Sequence, residues 1–276
     1  GNIAAWNGAT WAPLGSGTAG AGVFSSPAVF ALTAFDSGAG TQLVAGGGFL
    51  TAGGVQANGL ATWSGSTWSG LGAGVSGAIA RVEALVAYPT PDGPRLLVGG
   101  LFPQAGGIPA NNTALFDGAN FTSLANGFDA SVRAITTFDD GAGPALFVGG
   151  SFQTVAGKPA LRIAKWDGVN WSSLGTGLNG TPYCFEVFDD GSGPALFVGG
   201  EFTNAGGQAA NSMARWDGTS WLNLGLGVTG GAHRVSALEV FDDGAGPVLY
   251  AGGTFTTAGS NSVANLARWD GSTWSA

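Results

Sequence analysis

An all-β fold made by repeating one antiparallel unit is what this sequence predicts, on three observations. All ten tryptophans fall in two columns five residues apart: Trp6/Trp11, Trp63/Trp68, Trp166/Trp171, Trp216/Trp221 and Trp269/Trp274, with Phe116/Phe121 as a sixth copy. A second ladder keeps the same register, running Val44-Ala45-Gly46-Gly47-Gly48-Phe49, Val98-Gly99-Gly100-Leu101-Phe102, Val148-Gly149-Gly150-Ser151-Phe152, Val198-Gly199-Gly200-Glu201-Phe202 and Ala251-Gly252-Gly253-Thr254-Phe255. Each aromatic pair encloses a turn signal: Asn7-Gly8, Ser64-Gly65, or an Asp-Gly pair beginning at Asp117, Asp167, Asp217 or Asp270. The copies recur every 50 to 57 residues, and such a period with paired glycines marks a β-propeller blade.

One repeat, residues 131–175, justifies the elements in order. Val132, Ala134 and Thr136 alternate with Arg133, Ile135 and Thr137 in a period-2 strand ending at Phe138, and the turn-forming stretch from Asp139 to Pro144 folds it back. Ala145 to Gly150 is a short apolar run suited to a buried strand, and its terminal glycines remove side chains where another backbone or an aromatic ring approaches. Ser151 to Pro159 forms the next connection. Leu161 to Trp166 then alternates again and turns at Asp167-Gly168 into Trp171 to Leu174, the Asp-Gly pair supplying the positive backbone angles of a tight hairpin. No segment carries a 3.6-residue apolar period. The prediction is therefore one domain, residues 1–276, of four-stranded antiparallel blades over 27–76, 77–130, 131–180, 181–230 and 231–276.

Counting strands gives a mismatch. First strands ending in an aromatic number five (Phe35, Tyr88, Phe138, Phe188, Phe241), as do the Gly-Gly strands, but there are six Trp-type hairpins. Five blades are expected, with six as the alternative, and residues 1–26 form a surplus outer hairpin plus linker. Three arrangements accommodate the surplus: excerption from a longer array, completion of a blade in a neighbouring molecule, or a six-bladed ring with one blade lacking inner strands. The last would leave backbone groups unpaired; the second would build a head-to-tail assembly.

Composition narrows the function. Fifty-two glycines would suggest disorder if aperiodic, but 45% hydrophobic and 9% charged residues leave a large apolar surface to bury. A net charge of −8 with two lysines, Lys158 and Lys165, gives no basic stripe for phosphates, so nucleic acid is not an expected partner. No apolar run reaches bilayer-spanning length. Cys184 is the single cysteine and shares a column with Ala31, Ala84, Ala134 and Ala237, so it is expected to be a small core residue. An acidic, lysine-poor, Thr/Ser/Asn/Gly-rich chain suits the cell surface or extracellular space.

A hydrophobic strand ending in Gly-Gly, then an aromatic, a turn and a later Trp resembles the kelch-type propeller repeat along the whole chain. Two departures are a Trp where kelch repeats have Tyr, and a shorter interval between the aromatics. The run Ala164-Lys165-Trp166-Asp167-Gly168 through Leu174-Gly175 is similar to repeats in large secreted bacterial proteins and fungal bud-site surface proteins. The resemblance implies a propeller at the cell surface and names no reaction.

Candidate chemistry is sparse. His233 is the single histidine, and no Gly-x-Ser-x-Gly, Walker or zincin pattern occurs. The recurrent aspartates, Asp139/Asp140, Asp189/Asp190, Asp242/Asp243 and the Trp-Asp-Gly series, repeat in equivalent positions as turn formers do. No catalytic residue, metal or cofactor is expected. Internal variation is more informative: at the start of the first strand the repeats carry Phe30, then Arg81 and Glu83, then Arg133, then Tyr183, then His233 and Arg234. These would line one face of the ring, where variable loops gather and ligands bind. The expectation is a non-enzymatic extracellular structural or adhesive module assembling head to tail through a donated terminal hairpin, contacting protein or carbohydrate. The alternative is a carbohydrate- or peptide-binding propeller using Arg81, Glu83, Arg133, Tyr183, His233 and Arg234.

Overall fold

The structure, a computed structural model, describes residues 2–20, 26–38, 40–90, 92–242, 244 and 246–276. It is all-β, with no helix among these residues and five four-stranded antiparallel sheets. The chain forms two compact units, Gly1–Val132 and Arg133–Ala276. The first holds a two-stranded hairpin, Ala4–Trp6 with Trp11–Pro13, and two full sheets. Their strands are Ala28–Asp36, Thr41–Gly48, Leu60–Trp63 and Trp68–Gly70, then Arg81–Thr90, Gly93–Leu101, Thr113–Phe116 and Phe121–Ser123. The second unit holds three sheets, beginning at Val132–Asp139, Thr181–Asp189 and Arg234–Asp242. In every sheet spatial order follows chain order.

Among the described residues the expected Trp-hairpin turns form, with more local chemistry than a glycine supplies. The Trp hairpins close over four residues, as Trp63 pairs with Trp68 and Trp216 with Trp221. In these loops Asp217 Oδ1 accepts the Thr219 and Ser220 N–H groups, and Asp270 treats Ser272 and Thr273 alike. These backbone donors hold the Asp117, Asp167, Asp217 and Asp270 carboxyls below the usual carboxylate range. The first aspartate of each Asp-Asp-Gly turn is spent in the same way: Asp139 Oδ1 accepts from Gly141 and Gly143, and Asp189 Oδ1 from Gly191 and Gly193. The second takes a cation from the third strand, Lys165 at 2.6 Å for Asp140 and Arg215 at 3.6 Å for Asp190. Asp243 lies outside the described residues.

The two glycines of each pair have separate reasons. A Cβ on Gly46 would lie 2.5 Å from Val82 Cγ1, and one on Gly199 2.5 Å from Val235 Cγ1, so the first glycine admits a side chain of the following sheet. A Cβ on Gly47, Gly200 or Gly253 would instead strike the carbonyl across the ladder, at Ala28, Thr181 or Arg234. Within each unit the sheets thus stack face to face with apolar layers between them. Phe35, Val44, Leu60 and Leu71 of the first sheet pack with Val82, Leu96, Val98 and Phe121 of the second, and Phe188 and Met213 pack with Val235, Leu238 and Trp274. Cys184 joins that last layer at the edge, as the small residue its column predicts. Burial raises its thiol far above the ordinary value.

Tryptophan ties neighbouring layers together. The indole N–H of Trp221 donates to the Leu174 carbonyl of the preceding sheet, and that of Trp274 to Leu224. Trp68 does the same to Leu14, which belongs to the terminal hairpin. Asn2 Nδ2 also donates to the Pro27 carbonyl at 2.6 Å, as the Ser212 hydroxyl donates to the equivalent His233 carbonyl two sheets from the chain end. Ile3 and Leu14 are buried against Ala45, Phe49 and Trp68. The hairpin is accordingly the outer half of one more sheet, seated on the first sheet of its own chain.

Candidate functional site

Phe30, Glu83, Arg133 and Tyr183 share a column marked by a backbone irregularity that sequence periodicity did not reveal, and Arg81, His233 and Arg234 lie two or three residues before it. Pairing between first and second strands shifts register between Val29 and Ala31, Val82 and Ala84, Pro182 and Cys184, and Val235 and Ala237. The extra residue is Phe30, Glu83, Tyr183 or Ser236, and Arg133 holds that column in the third sheet. A β-bulge takes its residue out of the ladder and re-aims the side chain. A side chain released from pleat packing can change from sheet to sheet without disturbing the core. That is the physical reason this column varies while its neighbours repeat.

Short ladders place the loops around these bulges. Val75–Ser76, leading into the second sheet, pairs with Gln104–Ala105 in that sheet's second-to-third connection, and Val228–Thr229 pairs likewise with Thr257–Ala258. Both connections therefore share one end of each sheet, as expected.

The expected site residues separate into two groups. In the first unit Arg81 Nε meets Glu83 Oε1 at 2.6 Å, a pair two residues apart on one strand and mostly shielded from solvent. In the second unit the Arg133 and Arg234 guanidiniums lie 5.5 and 5.1 Å from the centre of the Tyr183 ring. Each such stack contributes roughly 0.5–2 kcal/mol, according to how dry it is. The Tyr183 hydroxyl donates to Glu201 Oε2 at 3.2 Å, and Arg234 Nε donates to Ser236 Oγ at 3.1 Å. Ring and guanidiniums are thus held in place before any ligand arrives.

His233 does not join this stack. It sits at φ 36°, its N–H donates to the Gly230 carbonyl, and its own carbonyl accepts from buried Ser212. Its Nδ1 is 3.5 Å from Ser212 Oγ, whose proton is already committed to that carbonyl, so the two do not form a nucleophile and base. Sequence reading missed Glu201 and Ser236. Both stood in columns that vary between repeats: Glu201 replaces Gly48, Leu101, Ser151 and Thr254 after the glycine pair. Cross-strand register, Thr181 opposite Glu201, brings that column beside the bulge.

Two guanidiniums over one phenol ring, with one carboxylate beside them, present fixed positive charge at the end of a chain that is acidic overall. Such a surface can bind carboxylate or sulfate groups and stack a planar face; nothing in it supplies an activated nucleophile. Among the described residues no group of three or more His, Cys, Asp or Glu side chains is placed to hold a metal, and no helix is long and apolar enough to cross a membrane. Comparison with protein-family models and with curated proteins found no match for this chain.

Proposed function

We propose that the chain is a β-propeller of kelch-like repeats, five blades in one domain, that serves outside the cell as a non-enzymatic structural or adhesive module. The supporting observation is how its charges are divided. Turn carboxylates are consumed by backbone N–H groups and by Lys165 and Arg215, whereas the charges that differ between repeats stand in the bulge column, as Glu83 and Arg133 do, or two residues before it, as Arg81 and Arg234 do. A rigid scaffold carrying a variable rim is what adhesion to a protein or carbohydrate surface requires. Head-to-tail self-assembly through the terminal hairpin belongs to the same reading, and in this chain that hairpin packs on the first sheet.

A second reading, a carbohydrate- or peptide-binding propeller, is favoured by the Arg133–Tyr183–Arg234 stack, with Arg81, Glu83 and His233 on the same kind of rim. Its ligand carries carboxylates or sulfates. Screening wild type and the triple variant Arg133→Ala, Tyr183→Ala, Arg234→Ala against acidic glycans and peptides tests it. Binding that falls at least tenfold in the variant supports the rim; equal binding by both proteins removes it.

A further inference from the structure

An arginine opens the first strand in two sheets, in the same column but with different companions. Arg81 of the second sheet stands opposite Leu101 and Arg234 of the last sheet opposite Thr254, each two residues before the residue that the bulge displaces. In the second sheet that residue is Glu83, whose Oε1 accepts the Arg81 Nε–H at 2.6 Å. In the last sheet it is Ser236, whose hydroxyl oxygen accepts the Arg234 Nε–H at 3.1 Å and brings no charge. Lys165 and Arg215 likewise have carboxylates of their own, Asp140 and Asp190. Arg234 makes no ion pair among the described residues, and no hydrogen bond there uses its two terminal nitrogens.

Two contacts aim this guanidinium. Its carbon lies 5.1 Å from the centre of the Tyr183 ring, so one face is spent on the phenol, and Ser236 holds the Nε corner. What remains is the two-nitrogen fork, the shape that grips a carboxylate through two parallel bonds. The same ring also fixes an acceptor. The Tyr183 hydroxyl donates to Glu201 Oε2, while Glu201 Oε1 receives no hydrogen bond among the described residues.

We infer that Arg234 is the carboxylate clamp for a uronic acid unit of an acidic polysaccharide. Tyr183 and Ser236 are its positioning residues, and Glu201 accepts a neighbouring sugar hydroxyl. The second sheet shows what this arginine column takes: a carboxylate, supplied there by Glu83. The last sheet leaves that place to a ligand. A uronic acid carries a carboxylate and hydroxyls on one ring, matching a cation and an anion anchored to one phenol. An acidic peptide side chain brings a carboxylate without a hydroxyl, and a sulfate ester presents a tetrahedral oxyanion to a planar fork. The inference rests on the second reading above and narrows it to one ligand class.

Calorimetric titration of the whole chain with tetragalacturonate at low ionic strength tests it. Saturable binding is expected, with none for the methyl-esterified tetramer, whose carboxylates are masked. Arg234→Lys keeps the charge but loses the fork, and should weaken binding at least tenfold. Ser236→Glu installs the second sheet's own carboxylate and should abolish binding, whereas Ser236→Ala should weaken it about threefold. Thermal melts should show all three variants folded. Wild type that ignores tetragalacturonate, or binds its ester equally well, overturns the inference without recourse to any variant. Binding that survives Arg234→Lys or Ser236→Glu unchanged overturns it too. A sulfated galactan or acidic peptide that binds wild type, is lost in the triple rim variant and is indifferent to Arg234→Lys would overturn this inference while leaving the second reading in place.

Discussion

The junctions between sheets within a unit and the faces of the terminal hairpin and the last sheet are built from the same columns and behave in opposite ways. Phe188 is buried under the last sheet, whereas Phe241, its counterpart one repeat later, is 57% exposed. Met213 is fully buried and Leu266 is 53% exposed. A Cβ on Gly199 would collide with Val235 and the Cys184 sulfur, while one on Gly252 would meet nothing within 4 Å. Trp68 is buried and hydrogen-bonded to Leu14, whereas Trp11 is 70% exposed. The comparison teaches that the repeat motif does not itself create a core. Each sheet brings half of an apolar layer, and a neighbouring sheet of the same unit completes it.

That contrast can be broken by paired substitutions. Phe188→Ala should destabilise by about 3–4 kcal/mol through lost burial and a cavity, and Phe241→Ala by less than about 1 kcal/mol; chemical denaturation of both variants measures the gap. Gly199→Val should cost about 3 kcal/mol by overpacking, and Gly252→Val almost nothing, which thermal melts would show. Equal costs in either pair would mean that the terminal face is covered in solution.

Smaller effects sharpen the picture. Trp221→Phe removes the donor to Leu174 and should cost roughly 1–2 kcal/mol because the carbonyl stays buried, while Trp11→Phe should be neutral within about 0.5 kcal/mol. Phe121 is the natural experiment here, since it stands in the tryptophan column without an N–H to donate. The smallest effect is electrostatic. Burial, and then the Glu239 carboxylate, push the Glu186 carboxyl above its ordinary range. A raised acid pKa destabilises the folded state as pH rises past the unfolded value. Glu186→Gln should therefore stabilise by about 0.5 kcal/mol at pH 7, a figure discounted for partial exposure, and the gain should vanish below about pH 4. Melting curves at the two pH values decide it.

The four strands of a repeat were legible because apolar alternation, Gly-Gly and the Trp pair are strictly periodic. The surplus hairpin was legible too, but its seat was not. Leu14, which accepts from Trp68, and Asn2, which reaches Pro27, look like loop residues until the sheets are stacked. Site residues were found by their variation, without the reason for it. The bulge is a matter of register between strands, which spacing along one strand cannot encode. For the same reason Arg133, Tyr183 and Arg234 were found but their stacking was not, since it joins side chains from three sheets. His233 varied like the others, yet a positive φ and the Ser212 bond turn its backbone to structural use.

Amide hydrogen exchange at Ala4 and Trp6, compared with Ala214 and Trp216 in the same columns, tests the central claim most directly. With the terminal hairpin an open half-sheet, the Ala4 and Trp6 amides should exchange near the rate of an unprotected peptide, while Ala5, Ala214 and Trp216 remain protected. Protection of Ala4 and Trp6 equal to that of Ala214 and Trp216 in dilute, unliganded protein would contradict it, because that edge would already be paired.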